Sequence, residues 1–338
     1  MAPLKLLSFP ELPNLSLDAA GLVALADIAT LQERTALMGR SQLLDALVVC
    51  PGIHRQQMAT SLNGGEYPVC GSLTDDYVFR VENPATVFFL QKVSRSGHLT
   101  PLWVSLNPAG NKWYKFLGLG QFTDTISAIL YFTAVTLAVG VIIVLALSRD
   151  WWGLSVILLL VVARFINILV IHRRSVPGWF GVKEEGRSGD LLILLSQDRW
   201  VRLRGAVDDL KAVTAGQWMR DPQLAENWIS AVATVIVYLD AALASNASQL
   251  AKILILALLI ISVGLLAVVN SRTDSLQMHG RIIKLDGEPK SYERRLKLAE
   301  ELIRETGRRG WALRMGMVVD DEKCQKTDTN ISVEEVAL

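Results

Sequence analysis

A chain of 338 residues that is 51% hydrophobic and only 20% charged, with a mean hydropathy of +0.33, departs from the composition of an ordinary soluble protein. Its 34 lysines and arginines nearly cancel its 33 aspartates and glutamates, so no basic field marks it for nucleic acid. Three cysteines, at 50, 70 and 324, are too few for a disulfide scaffold, and no Cys/His spacing suits zinc. The expectation is a membrane protein with no metal, no other cofactor and no nucleic-acid partner.

Residues 1–120 read as an amino-terminal cytosolic α+β region. After prolines 3, 10 and 13, Ser16 stands as an N-cap, and Leu22, Leu25, Ile28, Leu31, Leu37, Leu43, Leu44, Leu47 and Val48 recur near the helical period. Gly39 and Ser41 are candidate breaks, and Cys50-Pro51-Gly52 is a strong stop. Short strands are predicted over 87–93, 101–106 and 113–117.

A helix needs roughly 20 apolar residues to cross a hydrocarbon core about 30 Å thick. Thr125 to Leu147 carries no charge, and Gln249 to Val269 carries only Lys252. Two further runs are interrupted: Trp151 to Ile171 by Arg164 and Asn167, and Trp228 to Ser245 by Asp240. The fold class expected is therefore an α-helical membrane protein, with four transmembrane helices in two hairpins (125–171 and 228–269) and a cytosolic α+β domain. Lysines and arginines cluster on the segments joined by the long connections, whereas the tight turns offer only Arg149 and Lys252. Both termini are accordingly predicted to be cytosolic, without a cleavable signal peptide. The sequons at Asn14, Asn246 and Asn330 are then expected to stay unglycosylated, and Cys50 and Cys70 to remain thiols unless their region faces outward.

Between the spans, residues 172–226 balance 9 basic against 8 acidic side chains, the mark of a folded, solvated segment. A β-hairpin is predicted from Leu191 to Ser196 and Trp200 to Arg204, with a helix over 206–218. After the last span, residues 270–319 give a strand at 281–286 and a helix opened by Ser291, with Tyr292, Leu296, Ala299 and Ile303 on one stripe. Gly307 to Val319 reads either as a segment on the anionic leaflet or as a helix end docked on the domain, and 320–338 as a disordered tail. These cytosolic pieces are expected to pack together, because isolated hairpins are marginal.

No HExxH, P-loop or GxSxG is present, and the four histidines are scattered. Asp208-Asp209 reads as solvated helix charge rather than a metal pair, since adjacent residues point about 100° apart. The candidate functional residues are the polar groups inside the spans: Asp240, Arg164 and Asn167. Arg164 lies about 12 Å from His172 and Asp240 about 18 Å from Trp228, which argues against a direct bridge. Asp240 is open to three roles: a structural or oligomer contact, an ion or proton path, or catalysis.

The segments GDLLILLSQDRWVRLRGAVDDLKAVTAGQW and YLDAALASNASQ resemble multi-pass integral membrane proteins of filamentous fungi, over about residues 150–318. That resemblance implies a fungal source and carries over no catalytic residue, cofactor or substrate. The function expected from the whole is a non-enzymatic, self-associating protein that organises the membrane or conducts a small ion, with the bilayer and further copies of itself as partners. A lipid-modifying membrane enzyme and an adaptor for a cytosolic protein are the alternatives.

Overall fold

The computed structural model describes residues 23, 25–26, 28–57, 61–107, 122, 124–176 and 181–319. The predicted strand at 113–117, the Ser16 cap and the tail from 320 onward lie outside the described residues. Among the described residues four helices are long and apolar enough to cross a membrane: α3 (Thr125–Leu147), α4 (Trp151–Arg174), α6 (Leu224–Leu243) and α7 (Gln249–Ser271). Their ends are set by local chemistry. Asp124 caps α3, Ser248 caps α7, and Asp150 caps α4 through the Gly153 amide at 2.9 Å. The second oxygen of Asp150 accepts from the Ser248 amide at 3.1 Å, tying together the turns at 148–150 and 244–248.

The principal helix contacts join α4 to α6 and α3 to α7. α4 is the most enclosed of the four, and at Gly153 it passes so close to α7 that an added Cβ would lie 2.5 Å from that of Ala251. One bundle core results, containing Tyr131, Ala134, Leu145, Ile157, Leu160, Ala163, Val237 and Leu259.

Outside the bundle, β1 (Val69–Ser72), β2 (Val78–Arg80), β3 (His98–Leu106), β4 (Ser188–Leu195), β5 (Arg199–Ala206), β6 (Ser275–Met278), β7 (Arg281–Leu285) and β8 (Lys290–Ser291) form one mixed sheet. Its order is β2-β1-β4-β5-β3-β7-β6, with β8 beside β3. Among the described strands only β3 and β5 pair in parallel; the other pairings are antiparallel. Strands from before, between and after the spans are interleaved, so the β4–β5 hairpin sits between β1 and β3.

Both faces of the sheet are covered, which accounts for the unbroken apolar run of β4. Leu191, Ile193, Val201, Leu203, Leu102 and Ile283 pack under α2 (Pro84–Val93) and α5 (Val207–Thr214), in a core that includes Ile171 of α4. On the opposite face, Leu192, Trp200 and Leu99 meet α8 (Arg295–Thr306) and α9 (Gly310–Arg314) through Leu298, Leu302 and Trp311. Arg202 of β5 holds Asp190 at 2.6 Å and Glu305 of α8 at 2.8 Å, a clamp between sheet and helix.

Several expectations are corrected. Residues 87–93 are helical, not extended, because Pro84 starts the turn and the Asn83 side chain accepts from the Ala85 and Thr86 amides at 3.2 and 3.3 Å. The carboxy-terminal helix starts at Arg295, since Ser291 is taken up by pairing with His98. Its buried stripe is Leu298, Ala299 and Leu302, while Leu296 is 47% exposed. Of the two readings of residues 307–319, the docked one holds: Trp311 is fully buried, and its amide donates to Asp76 at 3.0 Å. β6 is a strand that the sequence patterning did not single out.

Candidate functional site

The long amino-terminal helical pattern resolves into something else. α1 (Thr30–Met38) stops at Gly39, which adopts the left-handed conformation (φ +65°), where an added Cβ would lie 2.3 Å from the Gln277 carbonyl oxygen. Beyond it the chain makes two single turns of tight helix, Leu43–Leu47 and Ile53–Arg55, joined by Val48–Gly52. Every residue from Val48 to Ile53 is buried. The first turn lies against α3 and α4, the second against α6. The His54 ring lies 6.2 Å from that of Tyr238, which is about 15 Å along α6 from Trp228. Residues 43–57 thus enter the bundle from the sheet end, reach its middle and leave again.

This inserted segment supplies partners for polar residues of the four apolar helices. Asp45 accepts from the Tyr131 hydroxyl of α3 at 2.6 Å and from the Gln42 amide at 2.7 Å. Its carbonyl oxygen accepts from Arg164 Nε at 3.2 Å. Arg34 stacks over the Phe122 and Tyr131 rings, 5.1 and 5.7 Å from their centroids. Burial drives its guanidinium below the usual arginine range, while the nearby Asp45 carboxylate opposes that shift.

Toward the sheet, Gln57 Nε2 donates to Asn167 Oδ1 at 2.7 Å and to Ser230 Oγ at 3.1 Å, and its oxygen accepts from Arg174 at 2.9 Å. Asn167 also donates to the Ala163 carbonyl at 3.0 Å. At the helix ends, buried Glu226 receives Arg220 at 2.5 Å and lies 3.8 Å from Arg173. These contacts fix the antiparallel register of α4 and α6. Extended along the helices, it places Arg164 level with Thr234 and Asp240 about 9 Å further from the sheet, beside Ile157 and Leu158.

Two of the three predicted residues, Arg164 and Asn167, are therefore gathered at one site by the inserted segment, and Asp240 is not. No ion pair joins Asp240 to Arg164. Asp240 is 1% exposed, on the α6 stripe with Ala233 and Val237 that faces α4, and its Oδ1 has no hydrogen-bond partner among the described residues. Arg164 Nη1 and both side-chain amide atoms of Gln56 are buried in the same condition. Polar groups left this way cost about 1–3 kcal/mol each, so the arrangement leaves unmet hydrogen-bonding capacity inside the bundle.

Sequence reasoning passed over Asp45, Tyr131 and Gln57. Asp45 offered one signal, a carboxylate within an otherwise apolar run; the other two partners lie 86 to 173 positions away. Cys50 and Cys70 are buried free thiols, and burial raises the Cys70 thiol far above its usual range. Asp208 and Asp209 turn to different partners, the Glu184 amide and Arg281, both at 2.8 Å. Among the described residues no three His, Cys, Asp or Glu side chains converge as a metal site.

Fold and site together define a class: a bundle of four helices long and apolar enough to cross a membrane, carrying a mixed α+β sheet, with a segment of the chain that bears Asp45 and Gln57 inserted between the helices. No family model, curated protein or solved structure matches the chain.

Proposed function

We propose that the chain is a non-enzymatic integral membrane protein that self-associates and organises the membrane around it, presenting its sheet domain to the cytosol for assembly or regulation. The observation that carries this reading is an apolar groove of about 610 Å³ on the outer side of α3, lined by Ile129, Phe132, Thr133, Thr136, Gly140 and Val144. Thr133 and Thr136 spend their hydroxyls on their own helix, at 2.8 Å from the Ile129 and Phe132 carbonyls, and open space lies where a Gly140 Cβ would stand. A helix of a second copy can approach such a surface closely, and helix association in lipid depends on that approach. Within one subunit the bundle interior is filled by side chains, which favours an organiser over a pore through the monomer.

In this reading the inserted segment is a re-entrant strap. Irregular backbone is tolerated at membrane depth where protein covers it, and here it couples the sheet domain rigidly to the spans. Both termini lie in the cytosol, in keeping with the basic residues on the sheet side. The resemblance to fungal multi-pass proteins fits the same account and adds no substrate.

A second reading, a small-ion or proton pathway, is favoured by Asp240, a buried carboxyl with an unmatched oxygen. One experiment separates the two: the mass of the purified protein in lipid nanodiscs, with the lipid contribution subtracted. A dimer or small oligomer that is lost on Gly140→Leu supports the organiser. A closed ring of four or more subunits moves the pathway reading forward, whereas a monomer overturns self-association.

A further inference from the structure

At the sheet-side end of α4 lies a polar cavity of about 250 Å³, separate from the strap. Its walls are the end of α1 (Gly39, Arg40), the β6–β7 turn (His279, Gly280, Arg281), Asn107 and Ser175, the residue that closes α4. Among the described residues no carboxylate lines it. Arg281 is matched by Asp209 at 2.8 Å, with both side chains largely buried. His279 is engaged with the Gln217 carbonyl at 2.9 Å. Arg40 is a half-buried cation with no hydrogen-bond or ion-pair partner among the described residues, and burial alone lowers its guanidinium from the usual range. The side-chain amide of Asn107 likewise makes no hydrogen bond among the described residues. One positive charge is thus left over in a cleft that also offers neutral donors.

Volume narrows the choice of ligand. Pockets for drug-sized molecules run about 300–1,000 Å³, so this one suits a headgroup rather than an acyl chain. Position narrows it further, because Ser175 follows directly on a span and places the mouth at the membrane–water boundary. We propose that this cavity is a binding site for a phosphate-bearing anion, with Arg40 as its principal charge partner, Asn107 as a neutral donor, and the phosphate of an inner-leaflet anionic phospholipid as the occupant. A guanidinium presents paired N–H groups that match phosphate oxygens, and charge-assisted bonds of this kind are the strong ones. The inference is independent of the self-association proposed above.

The test uses the full-length protein in nanodiscs of phosphatidylcholine with a minor fraction of phosphatidic acid, released for native mass spectrometry. Wild type is expected to retain one phosphatidic acid per chain. Arg40→Gln should lower that occupancy about tenfold, the equivalent of one charge-assisted bond. Arg40→Lys should restore part of it, and Arg295→Gln, a change at an exposed arginine paired with Asp198, should leave it unchanged. A thermal melt of each variant in the same discs establishes that the fold is intact. Titration of the detergent-solubilised protein with inorganic phosphate distinguishes the source of the anion: Arg40-dependent phosphate binding without lipid retention assigns the cavity to a soluble phosphate compound. Equal lipid occupancy in wild type and Arg40→Gln, together with no Arg40-dependent phosphate binding, overturns the site.

Discussion

Asp45 shows how a single side chain is made tolerable inside an apolar bundle. Its carboxylate takes a phenolic hydroxyl and a backbone amide, and its carbonyl oxygen takes a guanidinium nitrogen. Buried polar groups are costly when one partner is removed and nearly neutral when all are satisfied. Tyr131→Phe should therefore destabilise the protein by about 1–3 kcal/mol, because it deletes a buried donor while preserving the ring that stacks with Arg34. Ser271→Ala, at an exposed position whose hydroxyl serves only its own helix, should change little. Thermal unfolding of both variants in one detergent checks the contrast, and equal melting temperatures would remove the Asp45 contact from the account of stability. Asp240 lacks any such set of partners, which is why it stands apart from the strap as a residue whose role an assembly or a pathway must explain.

Among the elements, the β6–β7 hairpin connects the sheet edge to the end of α1 through a turn in which His279 and Gly280 both have positive φ. Burial holds the His279 imidazole below its ordinary value of 6.5, and the charge of Arg281 acts in the same direction against the Gln217 bond. Below pH 6.5 the unfolded chain consequently binds more protons at this position than the folded one, so stability falls as pH drops from there toward the depressed folded value. Glu305, held below 4.5 by Arg202, titrates in a lower window and loses its contribution only under stronger acid. Melting curves between pH 7 and 5 should slope downward for wild type and flatten for His279→Asn; parallel slopes would contradict the assignment. Legibility differed by element for physical reasons. The spans could be read to within a few residues, because length and apolarity in lipid are nearly sufficient conditions. The β4–β5 hairpin is legible from the apolar run of β4, the turn at Gln197-Asp198-Arg199 and the alternation of β5, whereas 87–93 is ambiguous because Val, Phe and Leu suit strand and helix alike, and the decisive Asn83-Pro84 start lies before the run. The strap was hidden: Leu43, Leu44, Leu47 and Val48 keep helical spacing, and only tertiary partners on α3, α4 and α6 hold that stretch in short turns.

For the whole molecule, the interleaved sheet has a consequence for cooperativity. Its strands come from residues 69–106, 188–206 and 275–291, so the central β3 depends on β5 from between the spans and on β7 from after the last one. Ending the chain at Ser271 removes β6, β7 and β8 together with α8 and α9. That truncation strips one edge of β3 and uncovers Leu99, Leu192 and Trp200, whose covering side chains include Leu298, Leu302 and Trp311. An uncovered apolar face beside a free strand edge is an aggregation surface. The four helices keep their main contacts, α4 with α6 and α3 with α7, and lose at the start of α3 the ion pair of Arg272 with Asp124 at 2.7 Å. The truncated protein should accordingly retain helical content in detergent yet elute as an aggregate, with limited proteolysis cutting within 188–206, a segment protected in the full chain. A monodisperse truncation that protects 188–206 as well as wild type would mean that the carboxy-terminal elements are an appendage. The sheet would then fold on the strands before Ser271 alone, and the coupling of domain to bundle would rest on the strap.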